Sequence, residues 1–202
     1  MKLLHLTVSP NLEGSSSRKV AARLLARLAD SYPRLEETLL DLSQQPLPHL
    51  DELTTSAFLT PVAQRTPAQQ QAVQLSDLMV DMLLDCELLL LSSPMWNLGL
   101  PSVLKAWFDH ITRAGRTFGF TDQGTKVGLV PNKKVYLVVS SGGVFSSGPW
   151  AQDDCFTPYV RKALAYIGIT DLTVIRVDGT HDPLTRDTAL QNALQAVDSL
   201  HL

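Results

Sequence analysis

Residues 88–98 read LLLLSSPMWNL, an apolar run that passes directly into a loop. A strand that is apolar on both faces is typical of a parallel sheet covered by helices on both sides. Two more apolar runs pass into loops of small residues: Leu3–Val8 precedes SPNLEGSSS at 9–17, and Val135–Val139 precedes SSGG at 140–143. Because ligands bind outside the carboxyl ends of such strands, the first loop (9–17), the second loop (93–98) and the third loop (140–143) predict one shared pocket.

The rest of the chain alternates between strand and helix patterns. We expect strands at Leu3–Val8, Glu37–Leu42, Leu88–Ser92, Val135–Ser140 and Leu172–Val177. We expect helices from Ser17 onward and at 51–59, 67–85, 100–112, 157–167 and 183–200. This alternation predicts a single α/β domain over residues 1–202, a sandwich with helices on both faces of a parallel sheet. A strand order of 2-1-3-4-5 would make strands 1, 3 and 4 neighbours and bring the three loops together.

The composition excludes several classes of function. The 202 residues are 45% hydrophobic, enough for one core, and a net charge of −3 without any run of like charges argues against nucleic-acid binding. The opening MKLLHLTVSPN turns polar too soon for a signal peptide. No apolar stretch approaches the roughly 20 residues that span a bilayer, so we expect no membrane partner. Cys86 and Cys155 lie outside any CxxC spacing and are expected to be buried free thiols of a cytoplasmic protein.

The first loop has the groups that hold a phosphate. It offers backbone N–H groups at a helix start together with the hydroxyls of Ser9, Ser15, Ser16 and Ser17. Oriented dipoles and hydroxyl donors suit a phosphate monoester without a lysine or a metal ion. The loop lacks the glycine patterns of dinucleotide-binding and P-loop proteins. A plain serine-rich helix cap is the alternative interpretation.

The second loop combines an aromatic ring, a thioether and an amide, in the residues Pro94, Met95, Trp96, Asn97 and Leu98. Such groups would cover the face of a flat heterocycle and meet its polar edge. The alternative is that Met95 and Trp96 pack into the core. The neighbouring Pro, Asn and Gly99 favour a turn over a core segment.

The third loop contains Ser140, Ser141, Gly142 and Gly143. Because glycine has no Cβ, a ligand can approach this backbone closely, and successive N–H groups would donate to a carbonyl or to a developing anion. A plain tight turn is the alternative. Phe118 and Phe120 follow the predicted helix at 100–112, and we expect them at the same end of the sheet unless they form a satellite core.

Side chains for metal binding or acid–base catalysis are sparse. The five histidines lack the spacing of metal ligands, and His5 lies inside a strand, where a satisfied core residue is expected. No GxSxG motif is present. We therefore expect no metal site and no catalytic side chain. A well-shaped pocket without them indicates that a cofactor carries the chemistry.

The chain resembles the FMN-dependent NADH:quinone oxidoreductases, or azoreductases, which have a flavodoxin-like fold. The resemblance rests on SPxxxxSxS at 9–17, PLPHLD at 46–51, SSGG at 140–143, YIGITD at 166–171 and, above all, SPMWNLGLPSVLKAWFDHITRAGRTFGFT at 93–121. It implies a three-layer sandwich of sheet order 2-1-3-4-5, non-covalent FMN, NADH as co-substrate, and quinone or azo acceptors. It also implies ping-pong kinetics and a homodimer with FMN at the subunit interface.

The same resemblance implies roles for the three loops. Ser9 and Ser15–Ser17 would hold the FMN phosphate. Pro94–Leu98 would line the isoalloxazine ring, and Ser140–Gly143 would meet its polar edge. Further candidates for the substrate pocket are Phe118, Phe120 and Phe145.

Four positions depart from the pattern of the relatives. Relatives often carry Tyr and Phe where this chain has Trp96 and Leu98, and many have Arg and His where it has Ser141 and Phe145. Loss of both cationic candidates leaves a more apolar pocket. We therefore expect a preference for neutral quinones over sulfonated azo dyes.

Two other functions fit parts of the sequence. A flavodoxin-type electron carrier would use the same flavin pocket, but such carriers dock through a strongly acidic face, and the net charge is only −3. A phosphoester hydrolase would use the first loop as its substrate site, but metal ligands and a nucleophile are missing.

The connection from Ser43 to Thr66 is longer than a compact domain needs, so we expect it to cover the flavin of a partner subunit.

Overall fold

The computed structural model of the chain describes residues 1–131 and 133–202. Its strands are β1 (Lys2–Thr7), β2 (Glu36–Asp41), β3 (Leu88–Pro94), β4 (Phe118–Phe120), β5 (Lys126–Gly128), β6 (Lys134–Ser140) and β7 (Leu172–Val177). Its helices are α1 (Ser16–Ser31), α2 (Glu52–Leu59), α3 (Pro67–Asp85), α4 (Ser102–Ile111), α5 (Thr157–Ile167) and α6 (Ala189–Asp198). One parallel sheet has the order β2-β1-β3-β6-β7, which confirms the predicted order 2-1-3-4-5.

Helices cover both faces of this sheet because successive strand residues point to opposite sides. Leu88 and Leu90 of β3 belong to a buried cluster with residues of α1 and α6. Leu89 and Leu91 belong to a second cluster with residues of α3, α4 and α5. The predicted three-layer sandwich is therefore confirmed, and β3, buried throughout its leucine run, lies at the centre of the sheet.

Most predicted helix bounds are confirmed, and α6 is the main correction. It begins at Ala189 and not at Pro183. The residues before it form turns in which the Asp182 side chain accepts a 2.9 Å hydrogen bond from the Leu184 N–H. Such a local side-chain bond competes with helix formation. Leu184 is exposed whereas Ala189 is buried, so apolar packing starts only at the observed helix.

The connection over residues 43–66 is docked against the neighbouring helices. It contains α2, as predicted. The Pro48 carbonyl lies 2.9 Å from Nε2 of His110 at the end of α4. Further along, the buried Arg113 guanidinium lies 3.9 Å from the centre of the Phe58 ring. These contacts hold the connection against the α3–α4 side of the sandwich.

β4 and β5 form an antiparallel hairpin that the sequence pattern does not predict, because each strand is only 3 residues long. The hairpin lies between α4 and β6, and Gly128 packs directly on Gly168 at the end of α5. Because α4 runs back along the sheet after β3, the hairpin that follows α4 lies at the edge where the parallel strands begin. The expectation that Phe118 and Phe120 lie at the same end as the three loops of their own chain is therefore wrong.

Candidate active site

The three loops meet at the carboxyl edge of the sheet because β1, β3 and β6 are neighbours. The Val8 N–H donates to the Ser92 carbonyl at 3.0 Å, which joins the ends of β1 and β3. The Met95 N–H donates to the Ser140 carbonyl at 2.7 Å, which joins the second loop to the third. Backbone hydrogen bonds thus fix the relative positions of the loops that the sequence predicts to share one pocket.

The first loop ends at the N-terminus of α1. Ser15 caps the helix by accepting a hydrogen bond from the Arg18 N–H, and its Oγ lies 3.0 Å from Ser17 Oγ. Ser9, Ser15 and Ser17 are buried, and Ser16 is half-buried. The N–H groups of Ser16 and Ser17 occupy the first helical positions, where no intrahelical acceptor exists. The predicted phosphate donors therefore lie together at one helix start.

The second loop contains a tight turn from Trp96 to Gly99. The two residues exchange backbone hydrogen bonds of 3.1 and 3.0 Å, and the central residues have positive φ angles, 48° at Asn97 and 68° at Leu98. Two left-handed central residues are typical of a type I′ turn. Trp96 is 47% exposed, so the alternative that it packs into the core is wrong for Trp96. Met95 is partly buried and packs against the core cluster, so the alternative holds in part for Met95. The Leu98 side chain is 44% exposed.

The third loop presents N–H groups while its carbonyls are occupied. The Gly142 carbonyl accepts from the His181 N–H at 3.0 Å, and the Gly143 carbonyl accepts from the Gly179 N–H at 2.9 Å. Within residues 1–131 and 133–202, the N–H groups of Gly142 and Gly143 make no hydrogen bond. This orientation fits the prediction that successive N–H groups face a ligand.

A Cβ at either glycine would crowd a neighbouring side chain. A Cβ on Gly142 would lie 3.2 Å from Nδ1 of His181. A Cβ on Gly143 would lie 2.8 Å from the Trp150 ring and 3.2 Å from Phe145. Phe145 and Trp150 form an aromatic pair, with ring centres 6.1 Å apart, beside this loop. Phe145 is therefore the one predicted substrate-pocket aromatic that its own chain places at the carboxyl edge.

Asp178, directly after β7, organises the third loop and is a residue that the sequence reasoning missed. Its carboxylate accepts hydrogen bonds from the Ser146 N–H at 2.7 Å and the Phe145 N–H at 3.3 Å, and it lies 2.8 Å from Ser141 Oγ. Arg176 pairs with this carboxylate and also with Asp154, which accepts from the backbone at the start of α5. The signal in the sequence is an acid that immediately follows the last predicted strand, at the carboxyl edge of the sheet.

The Asp154 carboxylate is ionised in this network despite its burial. Burial opposes its ionisation, but the hydrogen bonds from Thr157 and the pairing with Arg176 outweigh that effect and lower the pKa of Asp154. Its side chain is only 10% exposed. Asp154 therefore anchors the start of α5 to the third loop through Arg176.

Neither a metal-binding cluster nor a membrane-spanning helix occurs in the part of the chain that the structure describes. In the described part of the chain, no group of three or more His, Cys, Asp or Glu side chains is arranged to hold a metal ion. Nor does any helix there have the length and apolar character needed to cross a membrane. Cys86 is a buried free thiol, as expected, whereas Cys155 is exposed because it lies in the loop that leads into α5.

Comparison with known proteins identifies the family. A family model described as flavodoxin-like fold matches residues 1–200. The FMN-dependent NADH:quinone oxidoreductase 2 of Hahella chejuensis is 62% identical over 200 residues, which cover 99% of each chain. The FMN-dependent NADH:quinone oxidoreductase of Beijerinckia indica is 44% identical over 201 residues, covering 100% of this chain and 99% of the other. This chain belongs to the family of FMN-dependent NADH:quinone oxidoreductases.

Solved structures agree with this assignment. The azoreductase AzrA has a TM-score of 0.86 at 26% identity and covers 99% of this chain and 100% of its own. An FMN-dependent NADH-azoreductase from Bacillus anthracis, solved in complex with FMN, has a TM-score of 0.87 at 23% identity, covering 98% of this chain and 96% of its own. The flavodoxin-like fold of this quinone oxidoreductase family is therefore confirmed over nearly the whole chain.

The residues at the carboxyl edge fit the cofactor of the quinone oxidoreductase family. Hydroxyl and N–H donors at the start of α1 suit a phosphate, and the exposed Trp96 and Leu98 side chains suit the face of a flat ring. The N–H groups of Gly142 and Gly143 suit its polar edge. One group near the first loop is not among the residues that the sequence predicts for this site: Arg18 is largely buried behind Ser9.

Proposed function

We propose that this protein is an oxidoreductase that uses non-covalent FMN to transfer two electrons from NADH to quinones and aromatic azo compounds by a ping-pong mechanism. The observation that carries the proposal is the convergence of N–H donors from two loops on either side of the exposed Trp96–Leu98 turn. Membership of the quinone oxidoreductase family and the likeness to azoreductases support it.

In this proposal the first loop holds the phosphate. The Ser16 and Ser17 N–H groups lie at the positive end of the α1 dipole, and the hydroxyls of Ser9, Ser15 and Ser17 are further donors. Because the hydroxyls are neutral, the helix dipole and the oriented donors carry the recognition. A lysine or a metal ion is not required.

The second and third loops hold the ring. The chemistry supplied by bound FMN is transfer of a hydride from NADH and delivery of two electrons to the acceptor. The Gly142 and Gly143 N–H groups would stabilise negative charge at the polar edge of the ring, since preorganised donors need no rearrangement as that charge develops. Pro94–Leu98 would cover a ring face and exclude water.

A homodimer with FMN at its interface is part of the proposal. Phe118 and Phe120 lie at the opposite edge of the sheet, so they can reach a flavin only when it is bound to a second copy. Phe120 is 63% exposed, as expected of an apolar side chain that becomes buried only in a dimer interface. A groove of about 500 Å³ lies on the outer side of α4 and α5 and is bordered by Leu50 and Phe58 of the 43–66 connection. In the proposed homodimer this connection covers the flavin of the partner subunit, and the groove lies beside it.

The first test is the visible spectrum of the purified protein before and after anaerobic addition of NADH. We expect a flavin absorbance that bleaches with NADH and returns when a quinone is added. A flavin spectrum that does not respond to NADH would indicate an electron carrier. A protein that stays colourless after incubation with FMN and desalting would contradict the cofactor site and favour a phosphoester hydrolase. Parallel double-reciprocal plots of initial rates would support the ping-pong mechanism.

A further inference from the structure

Arg18 joins both ends of the first loop to the neighbouring strand β2. Its Nε and Nη2 donate to the Ser9 carbonyl at 3.0 and 2.6 Å. Its backbone N–H donates to Ser15 Oγ, at the other end of the loop. The guanidinium also pairs with Asp41 at 2.8 Å and donates to Ser43 Oγ at 3.0 Å. One residue therefore fixes the start of the loop, its end, and their distance from β2.

The ion pair of Arg18 with Asp41 is sheltered and is supported by further hydrogen bonds. Both side chains are 18% exposed. The Asp41 carboxylate also accepts from the Ser43 hydroxyl at 2.7 Å and the Ser43 N–H at 3.0 Å. Burial opposes ionisation of Asp41, but these hydrogen bonds together with Arg18 outweigh it and lower the pKa of the carboxyl. The guanidinium is thus held in one position, with its charge balanced by a neighbouring carboxylate.

The position of the Ser9 carbonyl matters because Pro10 follows it. The Ser9–Pro10 peptide has no N–H, so only its carbonyl can be fixed by a hydrogen bond. Within the described residues, the only hydrogen bonds that this carbonyl accepts come from Arg18. A carbonyl turned toward the phosphate would repel it, whereas a carbonyl held by Arg18 leaves the Ser9 hydroxyl and the α1 N–H groups to face the ligand.

We propose that Arg18 is a positioning residue for the cofactor phosphate, acting through the Ser9 carbonyl and the Asp41 brace without contacting the phosphate itself. This inference rests on the proposed function. The role is geometric: Nε and Nη2 of the flat guanidinium both donate to the Ser9 carbonyl while Nη2 also reaches Asp41. The single, freely rotating ammonium of lysine does not hold this fixed two-nitrogen arrangement.

The test compares FMN with riboflavin, which has the same ring system but no phosphate. Both are titrated into full-length flavin-free protein. In Arg18→Gln we expect FMN to bind about tenfold or more weakly, as for loss of a buried charged hydrogen bond, while riboflavin affinity stays within about twofold. Arg18→Lys should lie closer to Arg18→Gln than to the natural protein. Ser43→Ala, which removes one hydrogen bond from the brace, should weaken FMN binding to a smaller extent and keep the fold intact.

Arg23→Gln is the matched control, since Arg23 lies on the same helix and forms an exposed ion pair with Asp198. It should change neither affinity. Equal loss of FMN and riboflavin affinity in Arg18→Gln, or natural FMN affinity in Arg18→Lys, would overturn the inference and leave the proposed function standing. Failure of the natural protein to bind FMN would instead overturn the proposed function, and this inference with it.

Discussion

The backbone carbonyl of Leu98 accepts a 3.0 Å hydrogen bond from the N–H of Cys155. Leu98 itself has a φ of 68°, a conformation that bulky L-residues rarely adopt. The contact ties the strained tip of the second loop to the segment that leads into α5. Strain that surrounding structure maintains is common at functional sites, and here it turns the Leu98 side chain outward, where it remains 44% exposed.

Substitution of Leu98 separates the strain from the side chain's contribution to binding. Leu98→Gly relieves the positive φ, so we expect the free energy of unfolding to stay the same or rise by up to about 1 kcal/mol. Leu98→Val adds a β-branch at the same φ and should lose about 1–2 kcal/mol. Both variants should bind FMN less tightly because ring contacts are lost. Urea unfolding and flavin titration check this, and a glycine variant less stable than the valine variant would contradict it.

His5 predicts a pH dependence of stability. Burial lowers the pKa of His5, outweighing the hydrogen bond to Glu37 at 2.8 Å and the attraction of Asp41, while Arg18 adds to the lowering. The folded protein therefore keeps His5 neutral at pH values where the unfolded chain, with an ordinary pKa of about 6.5, takes up a proton. Stability should fall as the pH drops below about 6.5 and level off below the folded pKa, with a slope of at most about 1.4 kcal/mol per pH unit.

Unfolding in urea at pH 7.5 and 5.5 measures this effect. The natural protein should be less stable at the lower pH, and His5→Gln should lose that component of the difference. The pKa values of Asp41 and Asp154 are lowered by their hydrogen bonds and ion pairs, so their stabilising contributions are lost only below about pH 5 and do not affect this window. An identical pH difference in the variant would show that His5 does not carry it.

Sequence pattern predicts the fold of this chain because its core is built from local apolar periodicity. Leu88–Leu91 indicates a central strand without knowledge of its neighbours, and the loops at the strand ends follow from the α/β alternation. Arg18 and Asp178 are different, because their partners are distant in the sequence. Arg18 pairs with a residue 23 positions away, and Asp178 contacts Ser141, 37 positions away. Helical spacing alone therefore assigns Arg18 to the solvent.

Gly143→Ala tests the role of the third loop. The new Cβ would lie 2.8 Å from the Trp150 ring, which is 55% exposed and can move aside. We therefore expect a stability loss of less than about 1 kcal/mol. Displacement of Trp150 and of the loop backbone should weaken FMN and riboflavin binding equally, because the ring and not the phosphate is affected.

Flavin titration and urea unfolding measure both effects of Gly143→Ala. Gly99→Ala controls for stability, since a Cβ there meets nothing within 4 Å. If flavin affinity is unchanged, or if only FMN affinity falls, Gly143 does not contact the ring in the proposed way.

The choice of acceptor follows from the charge around the third loop. Ser141 is buried against Asp178, and Phe145 packs beside Trp150, so these two positions present a hydroxyl and an aromatic surface where a cation would be needed to pair with a sulfonate. Arg176 is committed to Asp154 and Asp178. We therefore expect a higher kcat/KM for a neutral benzoquinone than for a sulfonated azo dye. Steady-state rates with NADH at fixed concentration measure the ratio.

Phe145→His should raise the relative rate with the dye, more so at pH 6 than at pH 8 because the imidazolium pairs with the sulfonate. A natural protein that reduces the anionic dye faster than the benzoquinone would contradict this account of specificity.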